Sequence, residues 1–423
     1  MHLKTESIFV GTSLKNKIFG NYDNHFPYLP PKKNNMQHLK LSALFIGFFA
    51  ILGCESSPKT TQTEKKTAKT YPAFIGTYSR KEGHVDGKGE GIYLYQLDSA
   101  TGYLDKIGVQ GEIVNPSFLT PSADGRFLYA VEEIGADVDD AGRVVAYRQA
   151  GDHLEKINQQ STFAFAPCHV STDSKGRYVF VANYVGAIAV YPVAENGGLG
   201  EAIYKEAYTG KGPHSRQDAA HPHSVNLSPD NNFLYVPDLG TDNIYTYKVN
   251  YADPKKPLTR IGATKVHRAG GPRHFTFHPS LAKAYVVNEL SCSVTVMNWD
   301  KTTGKLDTIQ SISTLPADYQ ESGNTCSDIH VTPNGKFLYA ANRGHNSIVG
   351  YAIDAEGKLS LIDHASTQGE VPRNFAISPD GRFLYAANQN SDNILILSIG
   401  ADGKLKYRKE EKVFTPVCVR FGN

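Results

Sequence analysis

N-F-A-I-S-P-D-G-R-F-L-Y-A-A-N, residues 374–388, decides how this chain is read. Two short apolar runs flank Ser378-Pro379-Asp380-Gly381-Arg382. Pro fixes the backbone at the second turn position and Gly accepts the positive φ that follows, so the stretch reads as strand, tight turn, strand. Five further stretches repeat it: F-L-T-P-S-A-D-G-R-F-L-Y-A-V-E (118–132), H-V-S-T-D-S-K-G-R-Y-V-F-V-A-N (169–183), S-V-N-L-S-P-D-N-N-F-L-Y-V-P-D (224–238), H-F-T-F-H-P-S-L-A-K-A-Y-V-V-N (274–288) and D-I-H-V-T-P-N-G-K-F-L-Y-A-A-N (328–342). Their shared aromatic positions, Tyr129, Phe180, Tyr235, Tyr285, Tyr339 and Tyr385, fall 46 to 55 residues apart.

A third apolar run follows each hairpin, as at 243–249, 347–353 and 393–399. A Gly-x-Leu step then opens a fourth (Gly357-Lys358-Leu359, Gly403-Lys404-Leu405). Four antiparallel strands repeated radially make a β-propeller blade. The chain ends complete a seventh blade. Thr415–Phe421 matches a first strand, Phe74–Thr77 the end of a second, and 91–97 a third. The expected fold is therefore all-β: a seven-bladed β-propeller of four-stranded blades over residues 71–423, its last blade closed by N- and C-terminal strands. Closure of that kind leaves no unpaired edge.

Composition agrees: 38 Gly, 24 Tyr and 20 Phe stand against three Met and one Trp in 423 residues, a bias towards strands and turns. Charge is uneven. Residues 1–70 hold ten Lys/Arg and four Asp/Glu, leaving 34 basic and 38 acidic residues in the rest. A mildly acidic body lacks the basic footprint of a nucleic-acid binder.

The leading segment reads as an address. L-S-A-L-F-I-G-F-F-A-I-L (41–52) follows Lys40 and precedes Gly53-Cys54. It is too short to span a bilayer, which needs about 20 apolar residues. A cationic start, a short apolar run and a small residue before the cut describe a secretory signal. The Cys makes it resemble a bacterial lipoprotein signal, with Cys54 lipidated. We read 1–35 as a start-site artefact or disordered, 36–53 as the signal and 54–70 as a flexible tether too polar to bury a core. The expected location is periplasmic or outer-membrane-associated, with membrane contact through the lipid anchor alone. The remaining thiols, Cys168, Cys292, Cys326 and Cys418, are expected to be free.

In an antiparallel hairpin the start of one strand and the end of the next lie together. Stacked blades therefore bring two polar rings to one channel mouth. The first, after a recurring Pro, includes His169, His223, Arg273, His274, Asp328 and Arg373; the second includes Asn183, Asp238, Glu289, Arg343 and Asn388. For any one Asn or Asp the alternative is turn chemistry at a strand end. Bulky ionisable groups at inner positions are costly unless paired or used, and a mixture of Arg, Glu and His suits a small anionic or polar ligand.

These residues carry a resemblance. F-I-G-T-Y, H-P-H-S-V, G-P-R-H-F, V-N-E-L, A-N-R-G-H-N-S-I and 372–388 occur in the order and spacing of the seven-bladed lactonase family. That family includes 6-phosphogluconolactonases and a fungal carboxymuconate lactonising enzyme. The resemblance implies a lactonase acting on a sugar-acid lactone, phosphorylated or not. His223, Arg273, Glu289 and Arg343 would be catalytic; His169, Asn183, Asp238, His274, Asp328, Arg373 and Asn388 would bind substrate. His221 is an alternative to His223. Glu289 could orient His223, or serve as an acid if burial raised its pKa. The rival readings are a non-catalytic binding propeller and a muconate-type cycloisomerase. The expected enzyme is a monomer whose partner is a small lactone. No cofactor or metal is expected, since there is no compact ligand motif and two arginines oppose a cation in the mouth.

Lipidation is testable at once. Fatty-acid label should appear on the wild-type chain and vanish in Cys54→Ala; label that persists in the variant would refute a lipoprotein signal.

Overall fold

A computed structural model describes residues 69–83, 85–136 and 141–422. The artefact, signal and lipidation readings (1–35, 36–53 and Cys54), with most of the tether, lie outside the described residues. The first strand begins at Thr70, inside the expected tether.

Seven four-stranded antiparallel sheets form the propeller. Blade 1 starts at Leu119–Pro121, blade 2 at Pro167–Thr172, blade 3 at Asn226–Leu227, blade 4 at Pro272–Phe277, blade 5 at Thr325–Val331 and blade 6 at Pro372–Ile377. In each, the chain runs outward from the inner strand. The seventh sheet takes Pro416–Phe421 as its inner strand and Thr70–Thr77, Ile92–Asp98 and Leu104–Gln110 as the rest. Its register pairs Ala73 with Phe421 and Ile75 with Val419.

The repeat explains itself through contacts between blades. The recurring second-strand tyrosine is fully buried and donates its hydroxyl to the carbonyl of a glycine in the next blade. Tyr129 reaches Gly197 (3.2 Å), Tyr235 Gly304 (2.8 Å), Tyr285 Gly357 (3.0 Å), Tyr339 Gly403 (2.7 Å) and Tyr385 Gly102 (2.7 Å). These glycines lead into the fourth strand and all take φ between 75° and 86°. A Cβ at Gly197, Gly304, Gly403 or Gly102 would fall within 2.6 Å of the Phe127, Phe233, Phe337 or Phe383 ring that opens the preceding blade's second strand. Only glycine satisfies both the backbone angle and the contact. Blade 2 carries Phe180 at the tyrosine position and makes no such bond.

The inner strands are bulged where they begin. Pro272 pairs with Asn288 and His274 with Val287, leaving Arg273 outside the ladder. Cys168 and Arg373 sit in matching bulges. A bulge re-aims a side chain; here it places the residue after the recurring Pro at the channel.

The closed ring depends on Pro416–Phe421. A chain ending at Val413 leaves Thr70–Thr77 as an open edge and should aggregate or lose cooperative thermal unfolding. A monomer with wild-type unfolding would contradict closure by the two ends.

Candidate active site

The mouth is built around one buried carboxylate. Glu289, 1% exposed, follows the second strand of blade 4, and its backbone N–H donates to Gly271 O (2.7 Å). Three guanidiniums converge on it. Arg216 Nη1 and Arg343 Nη2 approach Oε1 at 2.5 and 2.9 Å, and Arg273 Nε forms a close ion pair with Oε2 at 2.8 Å. Burial raises the Glu289 pKa, but Arg216, Arg343 and Arg273 together outweigh it and hold the carboxyl well below the usual range. Glu289 is therefore ionised, and the acid role considered for it from sequence is removed. Burial lowers Arg273, against Glu289, to about 10, so it stays cationic at neutral pH.

Each arginine is anchored by its own blade or loop. Arg343 Nη2 donates to Cys326 O (2.8 Å). Arg273 Nη1 contacts His274 Nε2 (3.1 Å) and donates to Ser327 O. Arg216 comes from the loop between blades 2 and 3, which Gln217 ties down through Leu239 O (2.8 Å) and Asp242 Oδ1 (2.6 Å). The Arg216 side chain is 28% exposed and that of Arg343 13%, whereas that of Arg273 is 3% exposed. The first two offer donors to a ligand; Arg273 works from behind them.

His223 stands next to this clamp and is buried. Its Nδ1 has no hydrogen-bond partner among the described residues. Its ring meets Tyr184 and His274 edge-on, at 5.5 and 5.7 Å between centroids. Burial, then Arg273, hold its pKa well below the ordinary histidine value, so the imidazole is neutral at pH 7. His221 stacks on Tyr184 (4.3 Å) and binds Tyr184 O through Nδ1 (2.9 Å), outside the inner channel. Across the mouth, Arg373 lies over the Tyr78 ring (5.3 Å) and 3.9 Å from Glu133, whose Oε1 accepts the Tyr78 hydroxyl (3.0 Å). Four arginines against Glu289 and Glu133 leave an excess of two positive charges.

Beneath the mouth the channel is nearly filled. A cavity of about 10 Å³, lined among others by Glu133, His223, Arg273, His274 and Arg373, has room for roughly one water molecule.

The structure brings His223, Arg273, Glu289, Arg343 and Arg373 together. It commits other expected ligand groups elsewhere. Asp328, expected to bind substrate, has both oxygens engaged: Oδ1 with His274 Nδ1 (2.7 Å) and Ile329 N (2.9 Å), Oδ2 with His330 Nε2 (3.0 Å), Asn374 Nδ2 and Phe375 N (3.2 Å). His274 is held by Asp328 and Arg273, and His169 packs on Phe118 (4.0 Å); both are channel filling rather than rim. Asp238 accepts His221 N (2.6 Å), Gly240 N (2.9 Å) and Thr241 Oγ1 (2.7 Å). Asn183 and Asn388, wholly buried, donate to Thr162 O (3.3 Å) and Thr367 O (3.0 Å), in the links that follow the fourth strands of the preceding blades. Asp238 does turn work, the alternative that the sequence left open, while the two asparagines tie neighbouring blades together.

Sequence reasoning missed Arg216, Tyr78 and the site role of Glu133. Arg216 lies in the longest repeat interval, Phe180 to Tyr235, where the extra residues form its loop. Among the described residues no group of three or more His, Cys, Asp or Glu side chains is placed to hold a metal ion.

The chain is similar to known proteins. The family description "Lactonase, 7-bladed beta-propeller" matches residues 72–421. A 6-phosphogluconolactonase of Bacillus subtilis is 36% identical over 309 residues, covering 72% of this chain and 84% of that relative. One of Formosa agariphila is 36% identical over 312 residues, covering 72% and 85%. A solved periplasmic gluconolactonase of Pseudomonas aeruginosa superposes with a TM-score of 0.79 at 34% identity, over 84% of this chain and 99% of that one.

Proposed function

We propose, for a chain that belongs to the seven-bladed β-propeller lactonase family, that it hydrolyses a sugar-acid lactone at the mouth formed by His223, Glu289, Arg216, Arg343 and Arg273. The observation that carries this reading is a neutral, buried histidine with an unpartnered Nδ1 beside a carboxylate that gathers three guanidiniums. The names of the relatives support the same class of reaction.

Lactone opening needs a base for water, a stabiliser for the oxyanion and a proton for the leaving alkoxide. His223 Nδ1 accepts the proton from water as its oxygen bonds to the ring carbonyl carbon. Arg343 and Arg216, held in place by Glu289, donate to the developing oxyanion or to a carboxylate or phosphate of the ligand. When the ring C–O bond breaks, protonated His223 returns its proton to the alkoxide, and the acid product leaves. Glu289 stays ionised throughout. Its part is positioning, because without its charge three guanidiniums would repel one another in a buried site. The cavity of about 10 Å³ beside His223 and Arg273 has room for the attacking water, and the lactone is placed over it, next to the exposed faces of Arg216 and Arg343.

The excess positive charge suits an anionic substrate, and 6-phosphogluconolactone answers to it. An unphosphorylated aldonolactone fits an exported enzyme. We propose export with lipid on Cys54, supported by the signal-like segment and by the periplasmic relative. Among the described residues no helix is long and apolar enough to cross a membrane.

Purified protein should release acid from one or both lactones, read with a pH indicator. His223→Ala should lower turnover about 10²–10⁴-fold with the fold intact. Only neutral His223 is active, and its pKa is depressed, so kcat/KM should stay level from pH 8 down past 6.5 and fall only in more acid solution. Removing a nearby cation raises that pKa, so Arg273→Gln should move the acid limb upward. Full turnover in His223→Ala, or an acid limb unmoved by Arg273→Gln, would place the chemistry elsewhere.

A further inference from the structure

At the turn between the second and third strands of a blade, one residue takes left-handed backbone angles. Blade 2 uses Gly186 (φ 65°), blade 3 Asp242 (58°), blade 5 Asn346 (53°) and blade 6 Asp392 (54°). These residue types tolerate that region. The side chains also sew each blade to the next. Asp242 accepts Gly271 N (2.9 Å) and Ala269 N (2.8 Å), Asn346 accepts Val371 N (3.0 Å), and Asp392 accepts Thr415 N (3.0 Å).

Blade 4 breaks the rule. Its residue is Cys292, at φ 50°, with no side-chain oxygen and no preference for this conformation. A local rule kept in blades 2, 3, 5 and 6 and broken in blade 4 points to a function. Cys292 Sγ still faces the next blade: it accepts Asn324 Nδ2 (3.2 Å) and lies 3.3 Å from Asn324 O. Two residues on, Cys326 shares its neighbours: its Sγ meets Thr314 Oγ1 (3.1 Å), whose backbone N–H donates to Cys292 O (2.9 Å), and donates to Asn342 Oδ1 (3.4 Å), which also accepts Asn324 Nδ2 (3.3 Å). Cys326 N donates to Glu289 O (3.1 Å), and Cys292 Sγ is 4.0 Å from that same oxygen. Cys292 packs against the core cluster that contains Cys326. Both thiols are free; Cys292 is partly exposed and Cys326 wholly buried.

We propose that Cys292 and Cys326 are a dithiol modification site, oxidised by a low-molecular-weight disulfide to a covalent staple across the seam between blades 4 and 5. Polar interaction with Cys326, and then with Asn324, lowers the Cys292 thiol to about 7 against its burial, giving it the thiolate that exchange requires, while burial keeps Cys326 protonated. Cys292 thiolate attacks one sulfur of the small disulfide and expels a thiolate. That thiolate takes up the proton of Cys326. Cys326 thiolate then attacks Cys292 Sγ and expels the second small thiolate, which takes from solvent the proton that Cys292 had released. Two protein thiols become one disulfide, and one small disulfide becomes two thiols. Cys326 O is the acceptor of Arg343 Nη2, so the crosslink would fix the strand to which the active-site clamp is anchored.

The test is incubation of the reduced full-length protein with oxidised glutathione, quenching with iodoacetamide and non-reducing peptide mapping. The expected result is a disulfide-linked pair of peptides bearing Cys292 and Cys326, with alkylation lost at those two sites and unchanged at Cys168 and Cys418. Cys326→Ser should stop at a glutathione adduct on Cys292, and Cys292→Asn, which restores the polar seam of blade 5, should fold normally and leave Cys326 unoxidised. Wild-type protein that remains alkylatable at both sites, or that collects the glutathione adduct without the linked peptides, would overturn the proposal.

Discussion

The propeller rests on a tyrosine hydroxyl bonded to a glycine carbonyl one blade further on. Five of the blade junctions carry it. Each such buried hydrogen bond contributes about 1 kcal/mol net, and leaving its carbonyl unpaired would cost more. Its larger effect is geometric. At four of the five the glycine also approaches a phenylalanine ring of the preceding blade, and at the fifth, Gly357, the Lys283 stem, so the turn before the fourth strand is locked to its neighbour's second strand. Blade spacing and tilt are thereby set, and the inner strands converge closely enough that the cavity among His223, Arg273, His274 and Arg373 holds about 10 Å³, roughly one water molecule.

That narrowness decides the chemistry of the mouth. With Phe118, His169, His274 and the Asp328 network packed together and Glu289 buried, solvent screens the carboxylate little. Glu289 and its arginines therefore act as a unit, and the proton on Glu289 is excluded by its partners despite burial. The same burial strips His223 of its proton. One environment sets two opposite charge states, an ionised carboxylate and a neutral imidazole, and a lactone needs both beside it: a fixed positive surface and a free base.

The fold was legible because turn chemistry repeats. A turn of the Ser-Pro-Asp-Gly kind recurs between the first two strands of the blades, Gly-x-Leu leads into the fourth strand in five of the seven, and the terminal fragments match the missing parts of one blade. The first polar ring was legible too, since the residue after the recurring Pro is the bulged one. Three things were not. Arg216 sits on an insertion, outside any repeat position. Asn183, Asp238 and Asn388 share the rim in sequence register, yet Asp238 holds its own turn and the two asparagines hold the link from the preceding blade, which only coordinates distinguish. Charge states were hidden as well, because the three guanidiniums on Glu289 arrive from two blades and a loop that are far apart along the chain.

The central claim is that the acid product forms at the Glu289–arginine clamp. A crystal structure of the enzyme soaked with its aldonate product tests it most directly. The account predicts product oxygens within hydrogen-bonding distance of Arg343 and Arg216, with its carboxylate facing His223 Nδ1. Product bound at the opposite end of the channel, or at the rim without contact to His223 or either arginine, would contradict it.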